Sequence, residues 1–575
     1  NKRSFILTKI KRGQLVLQLG VGSIIRTRQG VTALVAGLPE WEHSLLNYCH
    51  GDPSERNRYV AKHRFKEPEL QNATGSRWFV PPPAEGDRTS WEIPLLRFPL
   101  AGICTNWQCQ RVILGSHGLP AGRAWPCPHC SGGKRSSRVN QVPIFYACPV
   151  GHLTEIDFDA AIEHEPGCER PVTRVNMRDQ LERPAITCVT CGGKGTLDTE
   201  PCRGDRPWLP TVSAEPCEHE MEVVSRTSIK AYYANTKSAI HIPLEAGLDD
   251  ELLRYLEAVG TYEHLPFSTP EEQRTTAQLL LDNTGWQITV DSAIDHIQHI
   301  RSGSPDNSDQ EWDILAARER EFDVLAGRRR YPALDASPLL TVEDKPLDDY
   351  SNDLVEAGLL THITAVHNLT ETRVVNGFSR ITPSAVAARS GRHLMWGRDT
   401  TEDDWLPGYR THGEGIFMVF DESRLGHQGA THDQTGRQLF NLSEAGTIVH
   451  TFAHGMMTQI AESSGYPVPS IRDRIYDIGD GRLGVLIYTA EGDAGGTLGG
   501  LVSHVDPALF DPLVTNALAA LDWCPQDPVC AETKHDVERS IGAACHQCVL
   551  LPETSCELFN GFLDRAALDS TLQGA

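Results

Sequence analysis

The residues with the clearest chemistry in this chain are its cysteines, sixteen among 575 residues. A thiolate is a soft anionic ligand. Pairs of thiols a few residues apart on a tight turn are the usual way a chain grips Zn2+. The first set is Cys104, Cys109, Cys127 and Cys130, a C-x4-C pair, then seventeen residues, then CPHC. Four protein ligands fill a tetrahedron and leave no open position, so such an ion shapes the chain and does not react.

The second set is looser and holds Cys148, His152, His164, Cys168, the CVTC pair Cys188 and Cys191, then Cys202 and Cys217. The reading in chain order joins Cys188 and Cys191 to Cys202 and Cys217. It leaves Cys148, His152, His164 and Cys168 either as another site or as packed side chains. The third set offers five thiols for four places: Cys524, Cys530, Cys545, Cys548 and Cys556. Cys530, Cys545, Cys548 and Cys556 are the compact choice, with Cys524 as the substitute for Cys530. Three structural zinc sites are therefore expected, with Zn2+ as the cofactor.

Two further motifs invite an enzymatic reading. HTFAH puts His450 and His454 one helical turn apart, the ligand spacing of zinc hydrolases. Those enzymes use HExxH, in which the Glu is the general base, and here position 451 is Thr. Two hydrogen-bonded core histidines are the expectation, and a zinc hydrolase or nuclease built on His450 and His454 is the alternative. YTAEGDAGGTLGG, after an apolar run, offers backbone amides to an anion. Without GxxxxGK[ST] it is not a P-loop. The chain also lacks a GxSxG elbow, so it is expected to be no enzyme and to run no ATP-driven motor.

These residues must be held by ordinary globular structure. Hydrophobic residues make up 40% and charged residues 22%, a folded-domain balance. The fold expected is mixed α+β and multidomain, with several zinc-knuckle or zinc-ribbon elements and a C-terminal α/β zinc-binding domain. The segments expected are a basic mixed region (1–100), a cysteine-rich knuckle region (101–230), a mostly helical linker or scaffold (231–357) and the C-terminal domain (358–575). GIFMVF and LGVLIYTA are uniformly apolar and read as strands buried on both faces. Helices are expected over 246–282, over EWDILAAREREFDVLAGRRR up to Gly327, over NLSEAGTIVHTFAHGMMTQIAESSGY up to Gly465, and at 511–523 and 557–572.

The net charge of −23 is unevenly spread. Residues 1–145 hold 20 Lys+Arg against 9 Asp+Glu, and the other 430 residues hold 33 against 67. A basic portion on an acidic chain points to nucleic-acid backbone on the basic side. Lys9, Lys11, Arg12, Arg26, Arg28, Lys134, Arg135 and Arg138 are the candidate phosphate contacts. No apolar run has the roughly 18 residues of a membrane span, and NKRSFILTKIKRGQ lacks the apolar core of a signal peptide. A cytoplasmic location is expected. The chain starts at Asn1, so part of the native N-terminus is expected to precede it.

The C-terminal run HTFAHGMM, SGYPVPSIRDRIYD, GVLIYTAEGDAGGTLGGLV, WCPQDPVCAE and ACHQCVLLPETSCE resembles the helicase-associated zinc-binding domain of unknown function that ends MrfA-type helicases. Together with RGQLVLQLGVGSII, AGLPEW, ACPVGHL, CVTC and SAIHIP, the chain is similar to the DrmB family of DISARM anti-phage systems. The resemblance covers nearly the whole chain and is weakest over 284–410. It implies a non-catalytic DNA-binding subunit that forms a heterodimer with a DrmA-like helicase. That helicase supplies ATP hydrolysis, and the pair supports recognition of phage DNA.

Overall fold

The computed structural model describes residues 5–6, 10–83, 91–115, 125–130, 137–178, 180–242, 269–284, 290–291, 293–294, 314–328, 340–382, 391–398, 404–425, 442–489, 500–533, 540–552 and 554–568. Lys9, Lys134 and Arg135, the stretch at 248–260 and most of the Gly-rich loop (490–499) lie outside the described residues.

The architecture is mixed helix and sheet around a seven-stranded sheet. Its main path uses β1 (Tyr233–Ile240), β2 (Leu360–Ser379), β3 (Trp405–Phe420), β4 (Ile471–Asp477) and β5 (Leu483–Thr489), in the order β1-β2-β3-β5-β4. These pairs are antiparallel. Thr341–Lys345 also pairs with β2, and Trp78–Val80 joins β3 in parallel, with Trp78 opposite Trp405. The sheet thus recruits strands from the N-terminal, middle and C-terminal segments.

GIFMVF is buried on both sides, and the alternation of a strand explains how. Ile416, Met418 and Phe420 face a core shared with helix residues Ile448, Val449 and Phe452. Phe417 and Val419 face the opposite core, with Phe322 and Tyr476. Helix α1 (Ile314–Leu325) supplies Phe322, whose ring meets Phe417 edge-on at 5.3 Å. Helix α2 (Glu444–Ser464) covers the first face. Ser443 caps it by accepting from Gly446 N at 3.0 Å, and Gly465, at φ 76°, ends it in a conformation that favours glycine. Helix α3 (Pro507–Asp522) packs beside α2.

The expected helix at 557–572 is replaced up to Asp564 by turns in which Phe559, Asn560 and Phe562 have positive φ. The stretch winds around α2 and cannot extend into a rod: the Phe562 carbonyl accepts from His450. In the N-terminal region a four-stranded sheet carries Ile24–Arg26 and Thr32–Val35. The cysteine-rich region is built of small sheets with a separate small core. Among the described residues no helix is long and apolar enough to cross a membrane.

Candidate metal centres

All sixteen cysteines are free thiols. Ten of them, with two histidines, form three groups of four in the cysteine-rich region, and four more form a group near the C-terminus. Donor spacing tests whether these groups fit a metal. At Zn–S near 2.3 Å and Zn–N near 2.05 Å, the edges of a tetrahedron are about 3.8 Å for sulfur–sulfur and about 3.6 Å for sulfur–nitrogen.

Cys104, Cys109, Cys127 and Cys130 come together as the spacing indicates. Cys104 Sγ is 3.7 Å from Cys130 Sγ, and Cys109 Sγ is 3.9 Å from Cys127 Sγ. Cys104 ends the strand Gly102–Cys104, which pairs with Val139–Gln141. A small sheet therefore presents both knuckles.

The structure does not bring Cys188 and Cys191 together with Cys202 and Cys217. Cys188 and Cys191 meet His164 and Cys168, with Cys168 Sγ 3.9 Å from Cys188 Sγ and Cys191 Sγ 3.5 Å from His164 Nδ1. Cys202 and Cys217 meet Cys148 and His152, whose Nδ1 lies 3.5 Å from both Cys148 Sγ and Cys202 Sγ. The cause is strand pairing. Ala147 is opposite Glu222, which returns the chain beyond Cys217 to Cys148, and Thr173 is opposite Cys188, which returns Cys188 to Cys168. Gly204, at φ 72°, lets the knuckle turn tightly enough for its N–H to donate to Cys202 Sγ at 3.3 Å.

Near the C-terminus the group is Cys524, Cys530, Cys545 and Cys548. The separations are 3.6 Å (Cys524–Cys545), 3.8 Å (Cys530–Cys548) and 3.7 Å (Cys545–Cys548). Cys524 and Cys530 both belong, and Cys556 lies elsewhere, against His450. In all four groups the edges quoted are close to those of a tetrahedral zinc site, and four protein donors lie within 4.8 Å of one another. When bound, zinc would cross-link strands that have too little apolar core to hold themselves.

Thiolate character is uneven within a group. Cys148 is pulled down to about 4, chiefly because Cys202 donates to it. Burial pushes Cys104 up to about 12, and donation to Cys191 raises His164 to about 9. A metal would displace the protons that the raised members retain.

Five of the eight candidate phosphate contacts are among the described residues. Arg26, Arg28 and Arg138 are exposed, Lys11 is exposed at a helix start, and Arg12 donates to the Pro82 carbonyl at 3.1 Å. The charge count missed Arg226, which lies in the acidic part of the sequence. It donates to Thr32 Oγ1 at 2.8 Å, and Thr32 is the residue paired with Arg26.

Residues 11–233 match the family model of a domain of unknown function, DUF8724. The chain is also 24% identical over 526 residues to the DISARM protein DrmB of Bacillus paralicheniformis, covering 84% of this chain and 90% of that one. The chain is DrmB-like. The aligned length takes in the cysteine-rich region and much of the central sheet, so the similarity to DrmB is not confined to one module.

Proposed function

We propose that this DrmB-like protein is a component of a DISARM-type defence system. In this reading it is a non-catalytic, zinc-stapled DNA-binding subunit that works in the cytoplasm as a heterodimer with a DrmA-like helicase. The likeness to a DISARM protein supports the system. The DNA role is supported chiefly by the Arg26–Arg226 arrangement. Arg226 is held beside Arg26 by Thr32, and its pKa is lowered by burial and by the charge of Arg26. Among the described residues, no carboxylate pairs with Arg26, Arg28 or Arg226. Two adjacent guanidiniums that repel one another are well placed to share a phosphate. Gln141 fastens this edge to the strand that begins beside Arg138, through Thr32 N (2.7 Å) and Thr32 O (3.0 Å).

In this reading ATP hydrolysis belongs to the partner helicase, and the acidic remainder of the chain is the proposed docking surface for it. The alternative, a hydrolase built on His450 and His454, needs an open coordination position and a path for water. Those histidines are 0% and 1% exposed, which favours a structural role.

The test is equilibrium DNA binding by the full chain with its helicase, measured across a salt series. Replacing Arg26 and Arg226 by Ala is expected to weaken binding of all sequences alike and to reduce the log–log salt slope by about 1, the contribution of one shared phosphate. An unchanged slope would refute the assignment. Metal-dependent strand cleavage by the chain alone would favour the hydrolase.

A further inference from the structure

His450, His454, Asp473 and Cys556 meet in the interior between α2, β4 and the C-terminal turns, and each is 0–4% exposed. Neither the thiol spacing nor the DrmB likeness accounts for this meeting.

The hydrogen bonds fix the tautomers. His450 Nδ1 lies 3.1 Å from the Phe562 carbonyl, and His454 Nδ1 lies 2.9 Å from the Val549 carbonyl. A carbonyl only accepts, so both Nδ1 atoms carry protons. Each neutral imidazole then has its lone pair on Nε2. Both Nε2 atoms lie 3.2 Å from the same oxygen, Asp473 Oδ2, which also only accepts when ionised. Cys556 Sγ lies 3.2 Å from His450 Nε2. Two lone pairs, a carboxylate oxygen and a sulfur thus converge in the buried interior.

Such convergence is repulsive unless a metal ion or added protons sit between the groups. Protonating both histidines would bury two cations against one carboxylate. A divalent metal satisfies all four groups. The donors lie within 4.8 Å of one another, and the two nitrogen–oxygen edges of 3.2 Å compare with about 3.3 Å for tetrahedral zinc.

The surroundings are those of an ordered metal site. Nδ1–H groups that donate to backbone carbonyls orient ligand histidines. Asp473 Oδ1 accepts from Glu557 N at 2.6 Å, and Cys556 Sγ accepts from Asn560 N at 3.2 Å. Asn560, at φ 62°, is held in that conformation by its side chain, which bonds to Leu551 N and Leu551 O.

A Cys–His–Asp nucleophilic relay would place the thiol and the carboxylate on opposite ring nitrogens. Here both face Nε2, so the arrangement is not such a relay.

We propose that His450, His454, Asp473 and Cys556 bind one divalent metal ion, Zn2+ by donor type, as a closed structural site that pins the C-terminal turns to α2 and β4. Because Val549, whose carbonyl accepts from His454, follows Cys548 directly, the site also braces the neighbouring four-cysteine group.

The test uses the full unmodified chain, crystallised as purified without added chelator. Anomalous difference maps above and below the zinc edge are expected to show a peak between these four side chains. A map with peaks in the four cysteine-rich groups and none here would overturn the proposal. So would a map with no peak anywhere if the protein contains no zinc by mass spectrometry. In solution, folded His454→Asn protein is expected to carry one metal equivalent fewer than the parent, and an equal metal count would overturn the proposal as well.

Discussion

Arg474 forks onto the carboxylate of Glu321, with Nε 2.7 Å from Oε2 and Nη2 2.7 Å from Oε1, and both side chains are almost completely buried. The pair ties α1 to the outer strand β4, and Arg318, Tyr476 and Ser238 complete the network. Removing one partner strands the other charge in the interior. Glu321→Ala is therefore expected to cost about 3–5 kcal/mol in denaturant unfolding. Replacing Glu321 and Arg474 together by apolar residues of similar volume is expected to cost less than the single change. If the double variant loses as much as the two singles added together, the pair is not coupled.

A second buried carboxylate sets an acid limit. Burial raises the pKa of Glu371, and Arg373 and Arg472 more than offset this, holding it at about 2 against an ordinary 4.5. A depressed carboxylate pKa contributes stability that is complete above the unfolded value and is lost as pH falls through the folded one. Glu371 is thus expected to contribute about 3 kcal/mol above pH 4.5, fading toward pH 2. Urea unfolding of the parent and of Glu371→Gln, compared across that range, isolates the step from any acid release of zinc. Two curves that stay parallel from pH 5 to pH 2 would contradict it.

The regrouped cysteines can be distinguished by counting metal. If Cys168 and Cys188 serve one ion, Cys168→Ser and Cys188→Ser each lose one zinc equivalent, and the double variant loses no second one. Cys188→Ser with Cys202→Ser then loses two. Grouping in chain order predicts the reverse. Mass spectrometry of folded protein under native conditions reads the count directly. The same losses are expected to expose residues 101–217 to protease, since these sites contribute folding free energy.

The Cys104 group was fully legible because both of its knuckles sit on one short sheet and no other thiols lie between them. The second set was not, because its sites are nested: the outer pairs, Cys148–His152 and Cys202–Cys217, enclose the inner ones. Only long-range strand pairing brings each half to its partner. The three-residue spacers in CPVGH and HEPGC were the available signal, since each pairs one Cys with one His. Asp473 carried no signal at all. It lies in IRDRIYD, which looks like a surface strand by charge yet is buried at all seven positions. Partners more than a hundred residues away in sequence, Glu371 and Glu321, make that burial possible. The buried strand at GIFMVF and the helix ending at Gly465 were legible because both are local patterns.

Arg380 joins three regions and, among the described residues, pairs with no carboxylate. Its guanidinium, 0% exposed, donates to the carbonyls of Gly151 (2.8 Å), Gly22 (2.7 Å) and Ala231. It also lies over the rings of Phe378 and Trp208. Burial lowers its pKa to about 9, still charged at neutral pH. The planar fork suits three carbonyls in different directions, and an ammonium group offers no such plane. Arg380→Lys is expected to leave at least one buried carbonyl unpaired and to cost about 2–3 kcal/mol. Arg380→Met, which strands all three, is expected to cost more. Hydrogen exchange is expected to rise first around residues 20–24 and 149–152, where the chain leans on this side chain. A Lys variant as stable as the parent would mean that packing against Trp208 and Phe378, and not the carbonyl bonds, holds the junction.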